Sequence, residues 1–194
     1  MKFCSTCGST VSKKIPADDT LHRFVCDDCD TIHYQNPRII TGCLPIFKNQ
    51  ILLCKRAIEP RKGWWTLPAG FMENGETAHH GAERETWEEA EAKVQNMELY
   101  TLFNLPHINQ VYMFFRAEVI DGLHDAGVES LETRFFSETE IPWDELAFPT
   151  ISRTLKLFFA DRKTNDFPIR MEDIEFPNRP AKSSSKKQPS KQST

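Results

Sequence analysis

The stretch Gly70–Ala92, GFMENGETAHHGAERETWEEAEA, limits what this chain can fold into more than any other. From Thr77 to Val94 there is no proline, and most positions are Ala, Glu, Arg or Lys. That composition predicts a helix with Thr77 as its N-cap. At about 100° per residue, Glu85, Glu88 and Glu89 fall on one face of it. Like charges stacked in this way repel. Either the face is simply solvated, or a cation sits against it, and a site built only of oxygen suits Mg²⁺ or Mn²⁺.

A second constraint lies at the N-terminus. Cys4-x-x-Cys7 and Cys26-x-x-Cys29 are separated by 18 residues. Two such pairs close a tetrahedral thiolate site for Zn²⁺, with Gly8 easing the first turn and Leu21–Val25 supplying one strand of a short hairpin. A segment of about 35 residues buries too little apolar surface to fold unaided, so metal would supply the folding energy. A redox dithiol is the competing reading. Four thiolates leave no open position on the metal, which makes the expected role structural. His22 and His33 read as surface or packing residues, and Cys43 and Cys54, inside apolar runs, as small buried hydrophobes.

With 194 residues, 39% hydrophobic and 27% charged, the chain fits one domain plus a small appendage. The net charge of −4 counts against a generic nucleic-acid binder. No apolar run approaches the roughly 18 residues of a membrane span, and no signal peptide is expected. Six cysteines without a signal point to a reducing, cytoplasmic setting.

Further elements follow from pattern. Arg38–Phe47 and Gln50–Arg56, split by Lys48-Asn49, predict a β-hairpin. Trp64–Leu67 predicts a short strand, as do 98–104, 110–120 and 131–137. Pro149-Thr150 opens a helix whose Ile151, Leu155, Phe158 and Phe159 form an apolar stripe. Asn178–Thr194 carries five Lys or Arg and no acid, and reads as a disordered basic tail. The expected division is 1–36 for a zinc ribbon, 37–170 for the main domain and 171–194 for the tail.

The spacing Gly-x5-Glu-x7-Arg-Glu-x-x-Glu-Glu, from Gly70 through Glu76 and Arg84 to Glu89, resembles the box of the Nudix hydrolases. LLCKR and GWWTLPAGFMENGE extend the resemblance over roughly residues 38 to 160. Thr86 departs from it, where an aliphatic residue is usual, and so does Glu91, where the family has glycine. The resemblance implies an α/β/α sandwich with a mixed sheet behind the ribbon, a homodimer, and hydrolysis of nucleoside diphosphates linked to another moiety. It further implies Glu85, Glu89 and Glu88 as ligands of Mg²⁺ or Mn²⁺, completed by the carbonyl of Ala69. Arg84 would orient a box glutamate and Glu76 would pair with it. The base is expected outside the box, Glu132 first and Glu129 second, although either can be plain surface charge. Trp64, Phe103 and Tyr112 are candidates to stack on a substrate ring, or else core.

A ribbon joined to such a domain resembles the NADH pyrophosphatases, but their Ser-Gln-Pro-Trp-Pro-Phe-Pro signature is absent at 100–106. YQNPRIITGCLPI, RETWEEA and ESLETRFF instead look like the FAD and ADP-ribose pyrophosphatase subgroup. The implied substrate is a small dinucleotide or nucleotide sugar: FAD giving FMN and AMP, or ADP-ribose giving AMP and ribose 5-phosphate. Three alternatives stay open. They are an NAD(H) pyrophosphatase, an RNA-cap (deNADding) hydrolase helped by the basic tail, and a zinc-ribbon nucleic-acid regulator with a non-catalytic domain. Intact Arg84, Glu85, Glu88 and Glu89 argue against the last.

Overall fold

A computed structural model describes residues 1–175, so the basic tail at 178–194 lies outside the described residues. The N-terminal segment forms a small antiparallel sheet of β1 (Val11–Lys14), β2 (Arg23–Cys26) and β3 (Ile32–His33). Its cysteine pairs flank the strands, Cys26 opposite Val11 in the ladder.

The main domain is built on a mixed sheet. Its strands are β4 (Arg38–Phe47), β5 (Gln50–Arg56), β6 (Trp65–Thr66), β7 (Ala69–Phe71), β8 (Val94–Leu105), β9 (Gln110–Val119), β10 (Ser130–Phe136) and β11 (Arg170–Asp173). The order across the sheet is β10-β5-β4-β9-β8-β11, with β6 paired to β5 and β7 to β4. The helices are α1 (Ala78–Ala90) and α2 (Pro149–Asp161). Side chains alternate across a strand, and the core divides accordingly. Leu44, Ile51 and Leu53 pack with Ile151, Leu155, Phe158 and Phe159 of α2. Cys43, Leu52 and Cys54 pack with Ala82 and Ala90 of α1. The two clusters are the two interlayer cores of an α/β/α sandwich. No helix among the described residues is long and apolar enough to cross a membrane.

Three expectations need correction. The hairpin between β4 and β5 exists only at its tip, where Ile46 faces Ile51 and Phe47 faces Gln50. Lys48 and Asn49, with φ of 47° and 66°, make the tight two-residue turn. Beyond it the strands part, and β4 runs parallel to β9 while its other edge takes β7. That opening admits Ala69–Phe71 into the sheet and so brings the head of the acidic stretch against β4. Second, the proline-free run to Val94 is not helical throughout: the helix ends at Ala90, and Glu91, at the family's glycine position just past the helix, is its left-handed C-cap. Third, Met171–Asp173 belong to the fold rather than to the tail. With Arg170 they form β11, which pairs with β8 and is tied to α2 by Arg153–Glu172 and Arg170–Asp161 ion pairs at 2.7 and 2.6 Å.

Candidate active site

The site begins with how α1 starts. Thr77 caps the helix by accepting the N–H of His80 at 3.1 Å. Glu76, just before the cap, accepts from the Glu73 backbone at 2.6 Å and from Arg84 through both carboxylate oxygens. Arg84 therefore holds its carboxyl at about 2, far below the ordinary value. The same guanidinium donates from one nitrogen to Glu85 and Glu88, both at 2.8 Å, and from the other to the Phe71 carbonyl at 3.2 Å. One arginine thus joins β7, the loop and three glutamates, which its planar fork allows and a lysine ammonium would not.

Two glycines make these contacts sterically possible. A Cβ on Gly70 would lie 2.3 Å from both oxygens of Glu85, so that carboxylate rests on bare backbone. A Cβ on Gly81 would lie 2.7 Å from both Glu76 and Thr41.

Glu89 has a different environment. It is 7% exposed, has no ion-pair partner among the described residues, and accepts one hydrogen bond from the Ala69 N–H at 3.2 Å. Burial pushes its carboxyl up to about 8, with the charges of Glu85 and Glu129 adding to the rise. Glu85 is also raised, first by burial and against the pull of Arg84. Glu88 stays half exposed at the rim.

The loop 121–130 closes this arrangement. Its backbone donates to the end of α1, Asp125 N–H to Ala90 and Gly127 N–H to Glu89. A Cβ on Gly127 would fall 1.7 Å from the Glu88 carbonyl, so only glycine permits the approach. Glu129, two residues on, is then near enough for its charge to act on Glu85 and Glu89. Glu132 is elsewhere: its carboxylate faces Lys55, its ladder partner, at 3.8 Å. Of the two, Glu129 is the residue whose charge is felt at Glu85 and Glu89, while Glu132 is ion-paired on β10.

The ring candidates separate. Phe103 is wholly buried in the α2-side core and presents no face to a ligand, which removes it as a stacking candidate and leaves the core role the sequence also allowed. Tyr112 is half-buried at the edge of the same core, and Trp64 is half-buried with Arg61 over its ring at 4.7 Å. Ala69 does stand beside Glu89, through its N–H.

The carboxylate set fits a hard divalent cation. Its donors are all oxygen, and Glu89 is a buried acid that no positive side chain pairs. Among the box carboxylates, Glu85 and Glu88 are paired to Arg84. The only ligand cluster within 4.8 Å among the described residues is Cys4, Cys7, Cys26 and Cys29. There the sulfurs of Cys4 and Cys29 are 3.8 Å apart and those of Cys7 and Cys26 are 3.4 Å apart. Tetrahedral zinc with bonds of about 2.3 Å requires edges of about 3.8 Å, so this set fits Zn²⁺ as well. Backbone N–H groups of Thr6, Asp28 and Cys29 point at these sulfurs, and His33 Nε2 lies 3.3 Å from Cys4 Sγ. His33 is therefore a neighbour of the cluster, a role its sequence position did not reveal.

Comparison with known proteins decides the family. A model described as "NUDIX domain" matches residues 36–158, and one described as "Nudix N-terminal" matches residues 2–35. The chain belongs to the Nudix family. A solved NUDIX hydrolase from Nitrosomonas europaea is 53% identical, covers 90% of this chain and 100% of its own, and superposes with a TM-score of 0.85. An NAD-capped RNA hydrolase, NudC, from Vibrio parahaemolyticus is 30% identical over 73% of this chain and 53% of its own length. An ADP-ribose pyrophosphatase from Methanocaldococcus jannaschii is 32% identical over 59% of this chain and 69% of its own. The Nudix chain thus spans about half the length of its NudC relative.

Proposed function

We propose that this Nudix protein is a divalent-metal-dependent pyrophosphatase that cleaves ADP-ribose to AMP and ribose 5-phosphate, and FAD to FMN and AMP. The observation that carries the reading is Glu89, a buried and unpaired carboxylate beside Glu85 and Glu88 on the helix face that meets Gly70. Glu85, Glu88 and Glu89 would hold Mg²⁺ or Mn²⁺, whose chemistry is to neutralise the diphosphate, polarise its phosphoryl oxygens and acidify water. Arg84 fixes the directions of Glu85 and Glu88, so they are set before substrate arrives. Glu129, whose charge is felt at Glu85 and Glu89, is the proton acceptor for the attacking water. The water oxygen bonds to phosphorus, the bridging P–O bond breaks, and the second phosphate leaves as a monoester.

Similarity to an ADP-ribose pyrophosphatase favours the sugar nucleotide, and the blocks YQNPRIITGCLPI, LLCKRAIEPRKGWWTLPAGF, RETWEEA and ESLETRFF resemble the subgroup that takes FAD or ADP-ribose. A second reading, NAD or NAD-capped RNA, is favoured by the similarity to NudC over 73% of this chain. Initial rates with Mg²⁺ on ADP-ribose, FAD, NADH and NAD-capped RNA at equal concentration distinguish the two. ADP-ribose and FAD should exceed NADH. A lead of about tenfold for NADH or capped RNA would replace the first reading with the second, and no turnover of any substrate would remove both.

A further inference from the structure

Between the cysteine ribbon and the Nudix domain lies a cleft of about 590 Å³, away from the acidic box. One wall is a cross-strand row of the small sheet. Lys13 is the ladder partner of Phe24, and Phe24 that of His33, so the three lie on one face. The facing wall carries Arg38, at the start of β4, and Ile108 with Asn109 from the turn before β9.

The charges in this cleft are one-sided. Its lining includes Lys13, Arg23 and Arg38 and no Asp or Glu. Arg23 is already paired with Asp19 at 2.8 Å. Lys13 and Arg38 have no ion-pair partner among the described residues, and Arg38 instead stands over the Phe71 ring at 4.7 Å. In a chain of net charge −4, two unpaired cations around a concavity without acids concentrate positive potential. Beside them, Phe24 and Ile108 offer apolar surface and Asn36 and Asn109 offer amides. Cations for a phosphate, an aromatic and aliphatic surface for a planar ring, and amides for its edge are the requirements of one ligand type. The cleft volume lies in the usual range for small-molecule sites.

We propose that the ribbon–Nudix cleft is a nucleoside-monophosphate site distinct from the catalytic centre, with Lys13 and Arg38 holding the phosphate and Phe24 and His33 meeting the base. This holds whatever substrate the acidic box cleaves. The nucleotide can be free, or one unit of a single RNA strand, and the chemistry of recognition is shared.

Titration calorimetry of the full chain in zinc-retaining, Mg²⁺-free buffer tests it, with AMP and a 5′-phosphorylated ribotetranucleotide as probes. The proteins are wild type, Lys13→Gln with Arg38→Gln, Lys13→Gln alone, and Glu89→Gln. The double substitution should weaken both probes by about tenfold or more, and Lys13→Gln alone by roughly threefold. Glu89→Gln should leave them unchanged. Affinity should fall as salt rises from about 50 to about 200 mM. Equal affinities for the two probes identify a free-nucleotide site, and a tetranucleotide at least about tenfold tighter identifies a strand site; both support the cleft. No binding of either probe at millimolar concentration overturns the proposal. So does wild-type affinity in the lysine variant, or loss in Glu89→Gln alone, which would put the ligand in the catalytic centre.

Discussion

If Glu89 is held for a cation, the protein without Mg²⁺ should show the cost in its pH dependence. The folded carboxyl titrates at about 8 and an unfolded one at 4.5. Between those values the folded state binds more protons than the unfolded state, so stability falls as pH rises. The sign is opposite to that of Glu76, whose lowered value contributes stability that is lost on acidification. For Glu89 the whole interval, at about 1.36 kcal/mol per pH unit, amounts to about 5 kcal/mol at and above pH 8 and nothing below about 4. Glu89→Gln keeps a carbonyl oxygen for the Ala69 N–H and removes the titration. The variant and wild type should therefore be similarly stable near pH 5 in Mg²⁺-free buffer. The variant should pull ahead by several kcal/mol towards pH 8. Urea unfolding at intervals of pH measures this directly. Adding Mg²⁺ at pH 8 should raise the wild-type midpoint more than the variant's, whose turnover is lower by about two orders of magnitude. A stability difference that does not change with pH, or an equal Mg²⁺ effect on both proteins, would refute the argument.

Glu91→Gly should stabilise the protein by about 1 kcal/mol, because Glu91 caps α1 with φ 46° and ψ 27°, a conformation glycine adopts freely; a lower urea midpoint would contradict this. Gly127→Ala should cost more than about 1 kcal/mol and slow turnover, since its methyl would meet rigid helix backbone rather than a movable side chain. Unchanged melting and rate would mean that the loop shifts without consequence and does not place Glu129. Cys26→Ser should abolish retention of one zinc per chain in elemental analysis and lower thermal stability, Cys26 being fully buried in the cluster. A wild type that contains no zinc and melts normally would end the metal reading of the ribbon.

The parts of this molecule that were legible from sequence are those fixed by local spacing. Glu85, Glu88 and Glu89 share a face because the helix period requires it, and the cysteines converge because each pair spans one turn. The α2 stripe was legible for the same reason. What escaped depends on distant partners. Phe103 and Tyr112 are ladder partners on β8 and β9, one deep in the core and one at its margin, and no pattern within either strand separates them. Strand β11 has no apolar alternation to announce it. Its place is set by carboxylate–arginine pairs to α2 and by hydrogen bonds to β8. The opening of the β4–β5 hairpin likewise depends on β7, a three-residue strand too short to register as a pattern.

The two departures from the family pattern are absorbed within α1, by different means. Thr86 replaces an aliphatic residue at a position with no exposure, where an unpaired hydroxyl would cost about 1–3 kcal/mol. Its hydroxyl instead donates to the Ala82 carbonyl at 2.7 Å, one turn back, so the side chain remains compatible with the core. Glu91 replaces glycine at the left-handed position, and its N–H still donates to the Trp87 carbonyl at 2.8 Å. The strain is local to the cap. The helix end is held independently by the backbone donors of Asp125 and Gly127. Those donors belong to the same loop as Glu129. A substitution at residue 91 is therefore expected to change stability with little effect on turnover, and one at 127 to change both.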